Sequence, residues 1–360
     1  MSMGKAIFRN RLYTQLTMFG VAVAILAWPC TAWCKEAGLW ERYKDTFISA
    51  DGRVIDYQQS EVSHSEGQGY SMLLALEYGD QEVFRKLWAW TKLNMAVRAD
   101  GLLAWRWGKR LTGAWGVIDY NNATDGDILV AMALIKAGAK WGDKEMKLSG
   151  LALARAVREN LVVSRNGRAY LLPGHFGFDF NGGFSLNPSY MVFSAFRLFA
   201  SVDAEGAQTW GKIHADAKHL ILKSQFGQMA MVADWVAVDE HGDIRLHWEK
   251  SPYSGKEAVR VFLYTAFDPP VKSPDGLGSV LRFYQQQDYI PLQMNIMIGE
   301  VSLAPAPGGF YAVYAKAAAA AGKDALAKKL FKAARAAIDG EDKNYYSLVL
   351  YLLATSEETL

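Results

Sequence analysis

The spacing of apolar residues narrows the possible folds at once. They recur three and four positions apart, as on one face of a helix, in stretch after stretch of the chain. The stretches are 39–48, 70–78, 83–95, 128–141, 148–163, 188–202, 207–222, 258–267, 277–284, 310–321, 325–338 and 345–353. Each predicts a helix, about twelve in all. The alanine run at 317–321 favours helix and has little β tendency. Asp80, Asp143 and Asp324 stand where the N-caps of following helices are wanted.

The connections between these stretches are of two kinds. Gly142-Asp143 and Gly322-Lys323 are tight turns, whereas 99–124, 164–187, 229–252 and 288–308 are long and rich in Gly, Trp and polar residues. Alternation in 229–238 and 243–248 predicts a short β-hairpin around His241-Gly242. No Pro/Ser-rich linker divides the chain and no short repeat is evident. Helices joined alternately by short and long connections fit one toroid of helical hairpins, with the long loops on one face building a site. Two helical domains fit the same pattern.

Composition excludes several classes. With 360 residues, 51% apolar and 21% charged, the chain is core-forming and not disordered. A formal net charge of +2 offers no field for nucleic acid. Two Cys and six His exclude a disulfide framework and leave little for a metal cluster. No cofactor or metal is called for, and a monomer is the expectation. Aromatic residues reach 13%, including 12 Trp, more than a core needs, so some are available to line a binding surface.

The N-terminus reads as a leader, residues 1–34, ahead of a single body at 35–360. Lys5, Arg9 and Arg11 make a basic start, positions 12–34 carry no charge, and an apolar stretch at 16–27 lies at their centre. Ala32-Trp33-Cys34 precedes a candidate cut before Lys35, as in a secretory signal peptide. An uncleaved membrane anchor is the alternative, since the uncharged stretch is long enough to span. Cleavage would remove both cysteines and bring the body to a net charge of −1. A periplasmic or secreted protein is therefore expected.

Three segments carry residues suited to chemistry. Ser65-Glu66-Gly67-Gln68-Gly69-Tyr70 sets a carboxylate beside two glycines at a helix start, where a ligand can approach the backbone and the helix dipole is positive. In Asn121-Asn122-Ala123-Thr124-Asp125-Gly126-Asp127, two acids flank a glycine at another helix start. One can serve the helix terminus while the other points into a cleft; as a calcium loop the segment is too short. Taken alone, each segment fits helix-terminal acids with no further role better than a catalytic pair. Trp105-Arg106-Trp107-Gly108, with Trp115 and Tyr120 nearby, offers flat rings on which the apolar faces of sugars stack, or rings buried between helices. No phosphate-cradling glycine loop, metal-type His pair or Gly-x-Ser-x-Gly elbow occurs.

Taken together these segments resemble glycoside hydrolase family 8. Ser65–Tyr70 looks like the family's general-acid motif, and Ala123-Thr124-Asp125-Gly126-Asp127, continuing through Ala131 and Ala137 to Trp141, resembles its signature, with Val130 a mild departure. Trp105-Arg106-Trp107-Gly108, Leu172-Pro173-Gly174, Asn187-Pro188-Ser189-Tyr190, Asp234-Trp235 and the upstream Asp51-Gly52-Arg53-Val54-Ile55-Asp56 fit in order. The resemblance runs from about Trp40 to Tyr351. It implies an all-α fold, an (α/α)6 barrel of about twelve helices with long loops and a small hairpin on one face. It also implies inverting hydrolysis of a β-1,4-glucan, with Glu66 as general acid and Asp125 binding and distorting the sugar. Trp105, Trp107, Trp115, Tyr120, Tyr190, Trp235 and Arg260 are the implied substrate-binding residues. Within the family the chain is most similar to periplasmic members that accompany bacterial cellulose synthases. The implied partners are a cellulose chain and the synthase export complex.

The second carboxylate is where the chain departs. The family's cellulases usually carry Tyr-Asp-Ala-x-Arg; here the segment is Lys256-Glu257-Ala258-Val259-Arg260. Glu257 is a carboxylate of nearly the same intrinsic pKa as Asp, one methylene longer. It is the expected base, with Asp234 and Glu249 as alternatives if it serves only as the partner of Arg260. Because the base has changed, a glucan-binding accessory protein with little turnover is a second expectation. A chitosanase or xylanase of the same fold is a third.

Overall fold

The computed structural model describes residues 28–357 and 360. The basic start and apolar centre of the expected leader lie outside these residues. Twelve α-helices occur among the described residues: α1 (Trp28–Phe47), α2 (Ser65–Glu77), α3 (Gln81–Asn94), α4 (Thr124–Trp141), α5 (Lys144–Leu161), α6 (Phe193–Val202), α7 (Ala207–Lys223), α8 (Val259–Ala266), α9 (Gly276–Gln287), α10 (Gly308–Ala320), α11 (Asp324–Gly340) and α12 (Tyr345–Thr355). Helix α1 runs through the expected cleavage point at 34/35. No helix among the described residues is long and apolar enough to cross a membrane. The chain divides into two compact units, residues 1–42 and Tyr43–Leu360.

Within Tyr43–Leu360 the even-numbered helices form a closed ring. α2 packs on α4, α4 on α6, α6 on α8, α8 on α10, α10 on α12, and α12 returns to α2. Five odd-numbered helices lie outside: α3 against α2, α5 against α4, α7 against α6, and α9 and α11 against α10. This is an (α/α)6 barrel. The sequence explains the two layers. A ring helix is walled in on most sides, and α2, α4, α10 and α12 bury residues around nearly their whole circumference. An outer helix needs only one apolar stripe, such as Phe84, Leu87 and Trp90 of α3. Each large apolar side chain so buried contributes about 1.5–3 kcal/mol relative to exposure.

Short connections of two to four residues follow α2, α4, α6 and α10, and a nine-residue one follows α8. Asp80 accepts from the Val83 amide (3.2 Å) and Asp143 from the Met146 amide (3.1 Å), the caps foreseen for α3 and α5. Asp324 is instead the first residue of α11, where it meets the positive helix end without capping it.

The long connections lie at the opposite end, ahead of α4, α6, α8 and α10, and hold more strand than the one hairpin expected. β1 (Ser63–His64), β2 (Arg106–Lys109) and β3 (Trp115–Asp119) form one antiparallel sheet. β4 (Val162–Arg165) pairs with β5 (Arg168–Leu171). β6 (Asp179–Phe180) and β7 (Gly183–Leu186) precede β8 (Gln225–Phe226) and β9 (Met231–Val232), which pair with each other. β10 (Val236–Val238) and β11 (Ile244–Leu246) form the foreseen hairpin, in register Val236↔Leu246. A four-stranded sheet results, in the order β11-β10-β7-β6. β12 (Tyr253–Ser254) pairs with β13 (Met294–Asn295). Most of these strands span two to four residues, too few to show a period of two.

Candidate active site

The ring helices all start at the end that carries the long loops, so their N-terminal turns converge. Glu66 lies in the first turn of α2 and Asp125 in the first turn of α4. Arg260 opens α8, with Glu257 in the turn leading into it, and Tyr345 and Tyr346 open α12. Tyr190 closes the short 3-10 turn ahead of α6. Positive helix ends favour carboxylates at this spot. All seven side chains line a cleft of about 540 Å3, together with Asp56, His64, Ser65, Trp105, Trp235 and Lys256.

Arg260 is the hub of the cluster. Its buried guanidinium donates from Nη1 to Glu66 Oε1 and to Asp125 Oδ2 (2.9 Å). From Nη2 it donates to Glu257 Oε2 and to Ser189 Oγ (2.8 Å). Asn187 Nδ2 also donates to Glu257 Oε2 at 3.2 Å, and Asn187 Oδ1 accepts from the Ser189 hydroxyl at 2.7 Å. Arg260 was expected to bind substrate. Both its Nη atoms are instead taken by the protein's own groups, and it organises the three carboxylates.

Three acids on one guanidinium leave an excess of negative charge in a largely buried place. Burial pushes Glu66 up to about 8; Arg260 opposes that rise, and the charges of Asp125 and Glu257 reinforce it. Burial likewise lifts Asp125 to about 6, with Arg260 pulling it down and Glu257 pushing it up. Near neutral pH the proton therefore sits on Glu66 while Asp125 is mostly ionised.

The two acids flanking Gly126 divide their tasks. Asp125 faces the cleft. Asp127 accepts from the Leu103 amide and from Asn122 Nδ2, both at 2.8 Å, and so ties down the loop before α4. Gln68 does similar work behind Glu66. Its Oε1 accepts from the Val54 amide (2.7 Å) and its Nε2 donates to Thr91 Oγ1 (2.8 Å), fixing the Asp51–Asp56 segment against α2 and α3.

Neither alternative base lines the cleft. Asp234 Oδ1 accepts from the amides of Gly255 and Ala258, both at 2.9 Å, and so shapes the turn that presents Glu257. Glu249 is exposed and lines a neighbouring groove. Lys256 lines the cleft and makes no ion pair among the described residues.

The aromatic residues separate into two groups. Trp105, Tyr190 and Trp235 line the cleft. Trp105 is stacked on His64, with ring centroids 5.6 Å apart, and Trp235 on Phe178 at 5.9 Å. Trp107, Trp115 and Tyr120, expected to bind substrate, lie outside the cleft lining. Trp107 and Trp115 stack on each other at 5.3 Å, with the Arg53 guanidinium 4.7 and 4.6 Å from their rings, and Trp107 meets Trp90 edge-on. Tyr120 is exposed just beyond β3. A bulge where the β2–β3 pairing steps from Arg106↔Asp119 to Trp107↔Val117 twists the ribbon between Trp105 and Trp107.

The sequence reading missed Tyr345, Tyr346 and His64. Tyr346 donates to the Lys256 carbonyl at 2.7 Å, linking α12 to the Glu257 turn. Burial, aided by Arg106 and Lys256, lowers His64 to about 4, so its ring is neutral. His64 Nε2, Ser65 Oγ and the Tyr345 hydroxyl are buried without a partner among the described residues. Orphans of this kind are few in folded proteins, and three belong to residues that border this cleft. A usable signal for the tyrosines was Asn344, which caps α12 by accepting from the Ser347 amide (3.2 Å) and so marks a ring-helix start.

Known proteins share this arrangement of chain. An endoglucanase of Cellulomonas uda is 34% identical over 294 residues, 81% of this chain and 80% of that protein. The crystal structure of an endoglucanase from Klebsiella pneumoniae superposes with a TM-score of 0.75 at 32% identity, over 88% of this chain and 97% of that one. The endo-β-1,4-glucanase of Acetobacter xylinum gives 0.78 at 29% identity, over 89% and 96%. The family model described as glycosyl hydrolases family 8 matches residues 6–359. Matched over nearly its whole length, the chain belongs to glycosyl hydrolases family 8.

Proposed function

We propose that the chain is an endo-β-1,4-glucanase that cuts cellulose-type glucan with inversion. Glu66 gives its proton to the departing glycosidic oxygen as the bond from that oxygen to the anomeric carbon breaks. A water on the opposite face forms the new bond to that carbon and loses its proton to Glu257. Glu66 ends ionised and Glu257 protonated, and exchange with solvent resets both. Asp125 grips the sugar at the cleaved linkage. Inverting enzymes keep acid and base about 6.5–9.5 Å apart to admit that water. Glu66 and Glu257 are held by different nitrogens of Arg260, and each carries a second oxygen outside that contact.

The observation that carries this reading is Glu66, held protonated by burial near neutral pH beside two further carboxylates in an open cleft. Reducing-sugar release from carboxymethylcellulose, with the anomer of the first-formed product followed by NMR, tests it. The α-anomer is expected; the β-anomer sinks the inverting assignment, and no release sinks the enzymatic one. The accessory reading keeps one supporting observation, since Arg260 and Asn187 hold Glu257 Oε2 as they would hold a structural anion. Binding to the polymer with no release at any pH selects it. The basic and apolar leader supports action in the periplasm or outside the cell, on cellulose being made and exported. The mass of the mature protein from a cellulose-producing bacterial host checks that placement.

A further inference from the structure

We propose that the groove on the β11-β10-β7-β6 sheet is a second glucan-binding site, holding the part of the same chain that has run past Trp235. This rests on the glucanase reading above and extends it beyond the catalytic cleft. The groove is about 610 Å3, within the range of real ligand sites, and is lined by Phe180, His247, Trp248, Asp179, Glu249 and Lys250 among others. Trp248 is 59% exposed and Phe180 43%. Rings held that open on short strands and their turns serve no core.

The groove continues the cleft. Trp235 lines the cleft and stacks on Phe178, and Lys250 Nζ lies 4.0 Å from the Trp235 ring and 4.6 Å from Phe178. Lys250 is also part of the groove wall. Phe180, two residues beyond Phe178, meets His247 edge-on at 6.0 Å, and His247 is anchored through Nε2 to Ser185 Oγ at 3.0 Å. Trp248 follows directly. Trp235 with Phe178 and Phe180 with His247 are thus two ring pairs, and Lys250, which covers the first pair and walls the groove, joins them into the track we propose.

The chemistry of the track selects its occupant. Flat rings suit the apolar faces of pyranoses, and Asp179, Glu249 and Lys250 can accept from or donate to hydroxyls. Acids and bases are mixed there: Asp179 and Glu249 stand against Lys250, while Arg245 is already paired with Asp239. A neutral polyhydroxylated chain fits this balance better than nucleic acid or an acidic peptide.

The test compares Trp248→Ala and Phe180→Ala with the unaltered enzyme on cellotetraose and on soluble hydroxyethylcellulose. Each variant should lose about tenfold in kcat/KM on the long polymer, through KM, and stay within about twofold on cellotetraose. Equal losses on both substrates, or none on the polymer, overturn the proposal. Polymer binding is also measured with each substitution placed in Glu66→Gln protein. A tenfold weaker affinity there supports the groove even where turnover is absent, so failure of the glucanase reading and failure of the groove are told apart. Unchanged polymer affinity overturns it.

Discussion

Gly126 packs so closely against Ser65 that a Cβ at position 126 would lie 2.2 Å from the serine Oγ and 2.7 Å from the Glu66 amide nitrogen. A second approach lies one turn on, where a Cβ at Gly69 would meet Leu129 Cβ at 2.7 Å. Two glycines thus let the first turns of α2 and α4 touch, and this contact brings Glu66 and Asp125 onto one nitrogen of Arg260. Gly126→Ala should push the turns apart. Overpacking of this kind costs about 1–3 kcal/mol, and a misplaced acid costs about 100-fold in kcat. Denaturant midpoints and turnover of the purified variant check both numbers. Unchanged turnover would mean that the glycine contact does not set the geometry of the acids.

Glu66→Gln should remove the proton donor and lower kcat by about 100- to 10,000-fold while leaving polymer binding intact. Its effect on stability has the opposite sign. The folded-state pKa, about 8, is raised above the ordinary 4.5. The folded protein therefore binds the proton more tightly than the unfolded chain, and the associated stability is fully present below about 4.5 and lost as pH rises towards about 8. Glutamine never ionises and does not suffer that loss. At pH 9 the variant should be more stable than the unaltered protein by about 0.5–2 kcal/mol, with no such gain at pH 4. Thermal melts at the two pH values decide the matter, and equal shifts at both would refute the linkage.

The pH dependence of kcat/KM should be a bell. Its alkaline limb reports loss of the Glu66 proton, at about 8, and its acid limb reports protonation of Asp125, at about 6. Because these groups share Arg260, the two apparent values belong to the cluster rather than to single residues. Asp125→Asn should abolish the acid limb near 6 and shift the alkaline limb down, since one charge that raises Glu66 is gone. A profile measured on a soluble oligosaccharide checks this; an alkaline limb left in place removes Asp125 from the electrostatics of the acid.

The twelve helices were legible because the physics that makes them is local, whereas their closure into one ring was implied only by the resemblance. Twelve apolar periods, two Asp caps and the alternation of turn and loop are all written within a few residues of where they act. Glu66 and Asp125 were visible as acids at helix starts for the same reason, but only the resemblance of their motifs singled them out for chemistry. The clustering of Glu257, Ser189 and Asn187 on Arg260 is not local. It joins the turn before α6 to the start of α8, and only closure of the barrel brings these together. Trp107 and Trp115 show what motif context leaves out. Their sequence suits a sugar platform, and the structure places them outside the cleft lining, stacked on each other beside Arg53 with Trp115 still 44% exposed. His64 carried no signal at all: a two-residue strand has no readable period, and its importance lies in an orphaned nitrogen that only the packed structure exposes.

Glu257 is the residue on which the catalytic assignment turns, because it has two employers. Arg260 Nη2 and Asn187 hold its Oε2, as a purely structural anion would be held. Its other oxygen has no protein donor assigned by these bonds, and the side chain is 23% exposed on the cleft. A water could therefore lodge on that oxygen while the first stays anchored, which orients the base. On this account Glu257→Gln keeps the anchor geometry but cannot take a proton, and kcat should fall by about 100-fold or more with KM little changed. Glu257→Asp restores the charge but withdraws it by one methylene, so activity should lie between the two. A structural anion predicts another order. Glutamine would lower stability by leaving Arg260 with a neutral partner, and turnover would follow stability alone. Measuring kcat and the denaturant midpoint for both variants separates the cases, and a glutamine variant with full turnover would leave the proposed water without its base.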